Sequence, residues 1–127
     1  MAGPTLEPRG VVAARLRQAR LLRGLSQREV GVRMGLDKDT ASARISRYES
    51  ESMAISLESL FSLADALQVP AAYLLASSAA MADAILLIGD ESEVQQARLA
   101  QALAAFASLP AARRKALLEE ILGKPGI

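Results

Sequence analysis

The sequence contains no cysteine, no histidine and no tryptophan, and its only aromatic residues are two tyrosines and two phenylalanines. Without cysteine, the chain can form no disulfide, thiolate metal site or cysteine nucleophile. Without histidine, it also lacks the commonest general base and a preferred ligand of transition metals. No paired constellation of carboxylates or lysines replaces these groups. We therefore expect no enzymatic activity, no metal and no cofactor.

The scarcity of aromatic residues means that the core is built from Leu, Ala, Val and Ile, which favours closely packed helices. Hydrophobic residues make up 51% of the 127 residues. This length suits one compact domain, or a small domain with an extension. Apolar residues recur at helical spacing and no segment indicates a strand, so the predicted class is all-α.

A long apolar stretch from Ala71 to Gly89 contains Asp83 and the Ser77–Ser78 pair, with no basic residue close on either side. This pattern favours two helices interrupted at the serines over one membrane-spanning helix. The first ten residues have no apolar segment behind a basic start, so no signal peptide is predicted. We expect a soluble cytoplasmic protein that is not associated with a membrane.

Charge is distributed unevenly along the chain, although the net charge is only +1. The segment from Arg9 to Arg47 has ten basic residues against three acidic ones, whereas Tyr48 onward has five basic residues against ten acidic ones. A basic segment beside an acidic one suggests a module that binds a polyanion. Arginines on the solvated faces of helices would explain the same pattern.

Two short helices joined by a turn are predicted between residues 26 and 49. Ser26 and Glu29 form the capping box that begins helix two. Gly31 lies inside that helix, where the missing methyl group would let another helix approach closely. Helix three is predicted over about Asp39 to Glu49, with Ile45 and Tyr48 turned inward.

Helices are predicted on both sides of this pair as well. Helix one covers about Arg9 to Arg23, and helix four carries the apolar stripe Leu57, Leu60, Phe61, Ala64 and Leu67. Four more are predicted over Pro70–Leu75, Ala79–Ile88, about Ser92–Phe106 and Pro110–Leu122. We predict a first domain over residues 1–76 and a helical C-terminal segment over residues 77–127.

Residues from about Val12 to Leu75 carry the matching segments LRQARLLRGLSQREVG, then GL, then ISRYE, then LESLFSLADALQVPAAYLL. In this order they resemble the helix-turn-helix domain of the phage lambda-repressor and Cro family, also called the Xre family. The resemblance covers about half of the chain. It implies that residues 1–76 are a five-helix DNA-binding domain whose third helix enters the major groove of double-stranded DNA. A protein of this kind is expected to be associated with the nucleoid.

Helix three departs from the family pattern at its start. The family's two apolar anchor positions would fall on Ala41 and Arg44, and an unpartnered arginine is costly to bury. A shift of four residues, about one helical turn, puts Ile45 and Tyr48 at the anchors instead. We therefore expect an insertion of about four residues, which either lengthens the N-terminal end of helix three or enlarges the loop before it. Ser50-Glu51-Ser52 also replaces the basic residue and glycine that often follow in the family.

The resemblance implies which side chains contact DNA. Arg47 and Arg44 are the best candidates for base contact, because an arginine can donate two hydrogen bonds to guanine. Gln27 is similar to a family glutamine that binds a phosphate and supports helix three. The complete predicted set is Gln27, Arg28, Lys38, Thr40, Ser42, Ala43, Arg44, Ser46 and Arg47. Arg20 and Glu49 match family positions that form an ion pair between helix one and helix three.

One such domain covers too few base pairs to select a site in a genome, and the family solution is a two-fold dimer on a pseudo-palindromic operator. We expect the C-terminal helices to dimerise through Leu117, Leu118, Ile121 and Leu122; completing the core is the alternative. The predicted function is a sequence-specific transcriptional regulator, expected to be a repressor acting as a homodimer. An antitoxin, a restriction–modification controller or a protein-interaction module would have a similar sequence, and the effector is unknown.

Overall fold

The computed structural model describes residues 7 to 126, which form eight helices and no strand. The helices are α1 (Pro8–Leu22), α2 (Gln27–Arg33), α3 (Ala41–Glu49), α4 (Leu57–Leu67), α5 (Ala71–Leu74), α6 (Ala79–Gly89), α7 (Glu93–Ala107) and α8 (Ala111–Leu122). The predicted all-α class is confirmed. The prediction that the first ten residues contain no signal peptide concerns a segment whose first six residues lie outside the described part of the chain.

The chain forms two compact units, with the boundary between Asp90 and Glu91. The first unit contains α1 to α6, and the second contains α7 and α8. In the first unit Ala82 of α6 is buried in the same apolar cluster as the side chains of α1 to α5. A Cβ atom at Gly89 would lie 2.5 Å from Cγ of Pro70, so α6 also packs closely against the start of α5. The predicted division into a DNA-binding domain over residues 1–76 and a dimerisation segment over residues 77–127 is a division by function, and it stays a prediction.

Each of the first five helices contributes a fully buried aliphatic side chain to the core of the first unit. These side chains are Leu16, Val30, Ile45, Leu63, Leu67 and Leu74. Burying a side chain of this size stabilises the fold by about 1.5–3 kcal/mol. The inward position predicted for Ile45 and Tyr48 is confirmed, because both are buried in this cluster. The core therefore fixes the rotation of α3 about its own axis.

Helices α2 and α3 approach each other closely at Gly31. A Cβ atom at Gly31 would lie 2.6 Å from Cβ and 2.9 Å from Cα of Ala41, closer than real Cβ atoms come to their neighbours. Only glycine fits here without displacing α3. The prediction that Gly31 lets another helix approach is confirmed, and that helix is α3.

The connection between α2 and α3 covers Met34 to Thr40, and α3 begins at Ala41, two residues after the predicted start. A turn around Asp37 occupies the residues before it. The carbonyl oxygen of Asp37 accepts hydrogen bonds from the N–H groups of Thr40 at 3.0 Å and Ala41 at 2.8 Å. Its side chain accepts one from the N–H of Asp39 at 3.0 Å. The bond to the Asp37 side chain competes with helical bonding, so residues 37–40 form a turn that precedes α3.

The remaining helices agree with the predicted pattern apart from one stripe. Residues 71–89 form α5 and α6 with a break between them, as predicted. Among residues 7–126, no helix is both long enough and apolar enough to cross a membrane. On α4, Leu60, Ala64 and Leu67 are buried, but Leu57 and Phe61 are exposed. The stripe was therefore wrong for these two residues, because the inward face also includes Leu63 and Ala66 and is centred away from them.

Candidate nucleic-acid interface

Helix α3 has one buried face and one exposed face of small side chains. Ala41, Ile45 and Tyr48 point into the core, at spacings of four and three residues. Ser42, Ala43, Ser46 and Arg47 are exposed on the other side. Because three of these four side chains are short, the helix backbone can approach another surface closely. Arg47 is the one long cationic side chain among them.

Arg44 occupies a different place from Arg47. It lies three residues after Ala41 and four before Tyr48, so helical geometry puts it at the edge of the buried face. Its side chain is accordingly half-buried, whereas Arg47 is exposed. The sequence assigned both to one solvent-facing side. In the structure Arg47 belongs to the exposed face and Arg44 to its flank.

A bidentate ion pair joins α3 to α1. The Nε and Nη2 atoms of Arg20 donate to Oε2 and Oε1 of Glu49 at 2.7 and 2.9 Å. The Glu49 side chain is 3% exposed and that of Arg20 is 14% exposed. The Nη1 atom of Arg20 donates to the carbonyl oxygen of Leu25 at 3.2 Å, so the same guanidinium also holds the turn before α2.

The ion pair shifts the protonation equilibria of both partners. Burial by itself raises the pKa of Glu49, but the hydrogen bonds and charge of Arg20 outweigh it, and the pKa lies below its ordinary value. The side chains of Gln27 and Arg17 lower this pKa further. The hydrogen bonds that Arg20 donates to Glu49 raise the pKa of Arg20. Both groups therefore carry their charge at neutral pH.

Helix α2 begins beside this ion pair. Gln27 is its first residue, is half-buried, and its side chain helps to lower the pKa of Glu49. The predicted capping box is confirmed: Oγ of Ser26 accepts from the N–H of Glu29 at 3.0 Å, and Oε1 of Glu29 accepts from the N–H of Ser26 at 3.1 Å. The cap fixes the start of α2, and with it the position of Gln27 next to α3.

The basic residues between Arg9 and Arg47 fall into two groups. Six of them donate side-chain hydrogen bonds within the first unit, namely Arg9, Arg15, Arg17, Arg20, Arg23 and Arg33. The other four make no side-chain hydrogen bond to any described residue, and these are Arg28, Lys38, Arg44 and Arg47. All four lie on α2, α3 or the loop between them. Within the first unit, the basic side chains without a hydrogen bond are therefore concentrated on the helix-turn-helix.

Two arginines have structural roles that the sequence reasoning missed. Arg15 is buried, and its Nε atom donates to the carbonyl oxygen of Ala76 at 2.9 Å. Arg23 donates to the carbonyl oxygens of Leu67 and Gln68 at 3.0 and 2.8 Å, which caps the C-terminal end of α4. A signal existed for Arg15, since it lies three residues after Val12 and four before Ala19 on the apolar face of α1.

The side chains predicted to dimerise lie on α8 in the second unit. Leu117 is half-buried, and Leu118, Ile121 and Leu122 are exposed. None of the described residues of α7 or α8 is fully buried. No three acidic side chains among residues 7–126 are placed to hold a metal ion together.

Comparisons with known proteins agree with this geometry. A family model described as "Helix-turn-helix" matches residues 16–74. The crystal structure of the transcriptional regulator BswR is similar to this chain, with a TM-score of 0.66 and 31% sequence identity. That match covers 80% of this chain and 97% of the other. No curated protein matches the chain.

Proposed function

We propose a function from one premise: the chain belongs to the helix-turn-helix family of the lambda-repressor and Cro type, also called the Xre family. It is a sequence-specific DNA-binding transcriptional regulator that represses transcription as a homodimer on a pseudo-palindromic operator. Helix α3 lies in the major groove, with Arg47 directed at a base edge. The similar protein BswR is itself a transcriptional regulator, which supports this reading.

The observation that carries the proposal is the separation of the basic side chains into two groups. On α1 and at its C-terminal cap, arginines bind carbonyl and carboxylate oxygens of the protein itself. On the helix-turn-helix, Arg28, Lys38 and Arg47 are exposed and form no hydrogen bond with any described residue. A helix that reads a DNA groove must approach the bases closely and be attracted to the phosphates at its edges. The serine and alanine face of α3 allows the close approach, and the unpaired cations beside it supply the attraction.

The homodimer is supported by the second unit. Helices α7 and α8 pack little against each other, and Val94, Leu103, Ile121 and Leu122 are exposed. Isolated helices shorter than about 12–15 residues are marginal in water, and most helices are stabilised by burying an apolar face. The same helices of a second copy would bury these side chains. Two copies would also place two α3 helices on one operator.

Selection from a random duplex library tests the proposal. The enriched duplex and a scrambled one are compared by fluorescence anisotropy at about 50 and 200 mM salt. We expect enrichment of two half-sites about 10–10.5 base pairs apart, with a preference that survives the higher salt. Equal and steeply salt-dependent binding to both duplexes would contradict sequence-specific recognition. No binding to either would favour a protein-interaction module.

A further inference from the structure

Arg17 of α1 is a cationic side chain beside α3 that is absent from the predicted DNA-contact set. Its Nε atom lies 3.4 Å from Oε1 of Glu49. The Arg17 side chain is 65% exposed, whereas the other members of the cluster, Glu49 and Arg20, are nearly covered. Arg17 is therefore the outer member of a group of three charges. Its guanidinium is the part of this group that a ligand could reach.

Glu49 does not depend on Arg17 for its hydrogen bonds. Both carboxylate oxygens accept from Arg20 at 2.7 and 2.9 Å, which matches one negative charge with one positive charge. The 3.4 Å bond from Arg17 is long for a charged pair, and exposed pairs of this kind contribute little to stability. The group of three thus carries one excess positive charge. An incoming anion could take over the Arg17 guanidinium while Arg20 keeps Glu49 satisfied.

The position of Glu49 on α3 locates Arg17 relative to the exposed face. Ser42 and Ser46 precede Glu49 by seven and three residues, so all three share one flank of the helix. Gln27, at the start of α2, is near enough to Glu49 for its side chain to lower the pKa of that carboxyl. Arg17 and Gln27 therefore both lie near this flank, while Arg44 is at the opposite edge. Two polar side chains from two different helices converge beside the face that the proposed function directs at DNA.

We propose that Arg17 binds a backbone phosphate at the edge of the major groove that α3 occupies, next to the phosphate contact expected for Gln27. The major groove is about 12 Å wide and a helix with its side chains is about 10–12 Å across, so the flanks of α3 face the sugar–phosphate backbones. In the free protein Arg17 donates to Glu49. On DNA its two terminal nitrogens, which donate to no described residue, bind the phosphate oxygens.

The salt dependence of DNA affinity measures this contact. The inference rests on the proposed function, so the enriched duplex and a scrambled duplex are both used. Each phosphate contact adds about 0.9 to the slope of log affinity against log salt. Arg17→Ala is expected to lower the slope by about 0.9 on both duplexes, which weakens binding about 15-fold at about 50 mM salt and about 4-fold at about 200 mM. Arg17→Lys, which keeps the charge, is expected to keep the slope.

Lys124→Ala is the matched control, because it removes one positive charge from an exposed position outside the eight helices. It is expected to leave the slope unchanged. An unaltered slope in Arg17→Ala, with normal binding by the parent chain, would overturn the phosphate contact alone. A lower melting temperature with specific binding alone lost would overturn it as well, and make Arg17 a positioning residue for α3. Absence of DNA binding by the parent chain would instead overturn the proposed function, and the contact with it.

Discussion

A single carboxylate, that of Glu49, holds the C-terminal end of α3 against α1. It accepts two hydrogen bonds from Arg20, and its side chain is almost fully covered. Arg20 reaches the turn before α2 at the same time through the carbonyl oxygen of Leu25. One ion pair therefore connects three parts of the helix-turn-helix scaffold. The consequence is that changes at Glu49 affect folding before they affect any ligand.

Replacing Glu49 by Gln should destabilise the first unit. The substitution leaves the Arg20 guanidinium largely covered and without its counter-charge, which costs about 3 kcal/mol for a buried pair. The free energy of unfolding is measured by urea titration followed by circular dichroism. Glu51→Gln, on the exposed loop two residues later, is the control and should change it by less than about 0.5 kcal/mol. Equal stability of Glu49→Gln and the parent would contradict a structural ion pair.

The same pair makes stability depend on pH in one direction. The pKa of Glu49 is lower in the folded chain than its unfolded value of about 4.3. A lowered folded pKa contributes stability above the unfolded pKa, and this contribution is lost as the pH falls through the folded pKa. The stability difference between the parent and Glu49→Gln should therefore shrink from about pH 6 to about pH 3. A constant difference in urea midpoint over this range would contradict the shift.

The family resemblance could predict the ion pair within the motif, but nothing in the sequence predicts the long-range partners. The resemblance predicts the ion pair between Arg20 and Glu49. The three-residue spacing of Ile45 and Tyr48 predicts that both lie on the buried face of α3. Arg15, by contrast, donates to a carbonyl oxygen 61 residues away, and Arg23 to oxygens 44 and 45 residues away. An arginine that caps the backbone of a distant helix looks the same in a sequence as one that faces solvent. The overall charge of the basic segment therefore overstated its free cations.

At the scale of the element, the sequence predicts which segments are helices better than it predicts where a helix begins and which of its faces is buried. The apolar repeat of α4 indicates a helix, but it does not determine how far the buried face extends on either side of Leu60. Leu63 is buried and Phe61 is exposed. The start of α3 depends on the turn at Asp37, whose backbone and side-chain oxygens accept four local hydrogen bonds. Such turns compete with the first helical turn over a few residues, and apolar spacing does not report on them.

The position of Gly31 is expected not to accommodate even the methyl group of alanine. In an ordinary helix interior, Gly→Ala is stabilising by roughly 0.5–1 kcal/mol. Here the new Cβ atom would lie 2.6 Å from Cβ of Ala41, so α2 and α3 would have to separate. We expect Gly31→Ala to lower the free energy of unfolding by about 1–3 kcal/mol, as for other overpacked sites. Urea titration checks this sign.

The double variant Gly31→Ala with Ala41→Gly tests the contact itself. Removing the opposing methyl group should recover part of the loss caused by Gly31→Ala, beyond the cost of glycine in α3. Val32→Ala, on the exposed side of α2, is the matched control and should have little effect. A stabilised Gly31→Ala chain would mean that α2 and α3 are not in close contact at this point.

At the scale of the whole molecule, the two units differ in how far their apolar residues are buried. The first unit buries one continuous aliphatic cluster that includes Ala82 of α6. The second unit contains no fully buried residue in its helices. Composition indicated a change of character after Ala76, but the extent of the first unit depends on tertiary contacts of α6, which a single sequence does not reveal.

Dimerisation through the second unit is tested with a chain that ends at Asp90. This cut keeps α6, whereas a cut after Ser77 would remove Ala82 from the core. The full chain should have twice the 13.4 kDa mass of one copy by light scattering, and the shortened chain the mass of a single copy. Circular dichroism checks that the shortened chain is folded. A dimeric shortened chain, or a monomeric full chain, would contradict dimerisation through α7 and α8.

In the full chain, the double substitution Ile121→Ser and Leu122→Ser tests the predicted surface itself. Both side chains are exposed, so the change should not disturb the first unit, but it should shift the chain toward monomers. Arg113→Ser, on the same helix, is the control for a general loss of α8. Retention of the dimer in the double variant would mean that these two residues lie outside the interface.

The central claim is that α3 reads base pairs through Arg47, and the affinity of Arg47→Ala for two duplexes tests it most directly. Binding to the enriched and the scrambled duplex is measured at one salt concentration, together with single-base variants of the enriched duplex. We predict a loss of about 1–3 kcal/mol on the enriched duplex, a small loss on the scrambled one, and a relaxed preference at one base pair. An equal loss on both duplexes, with all base preferences intact, would contradict the claim and assign Arg47 to the phosphate backbone.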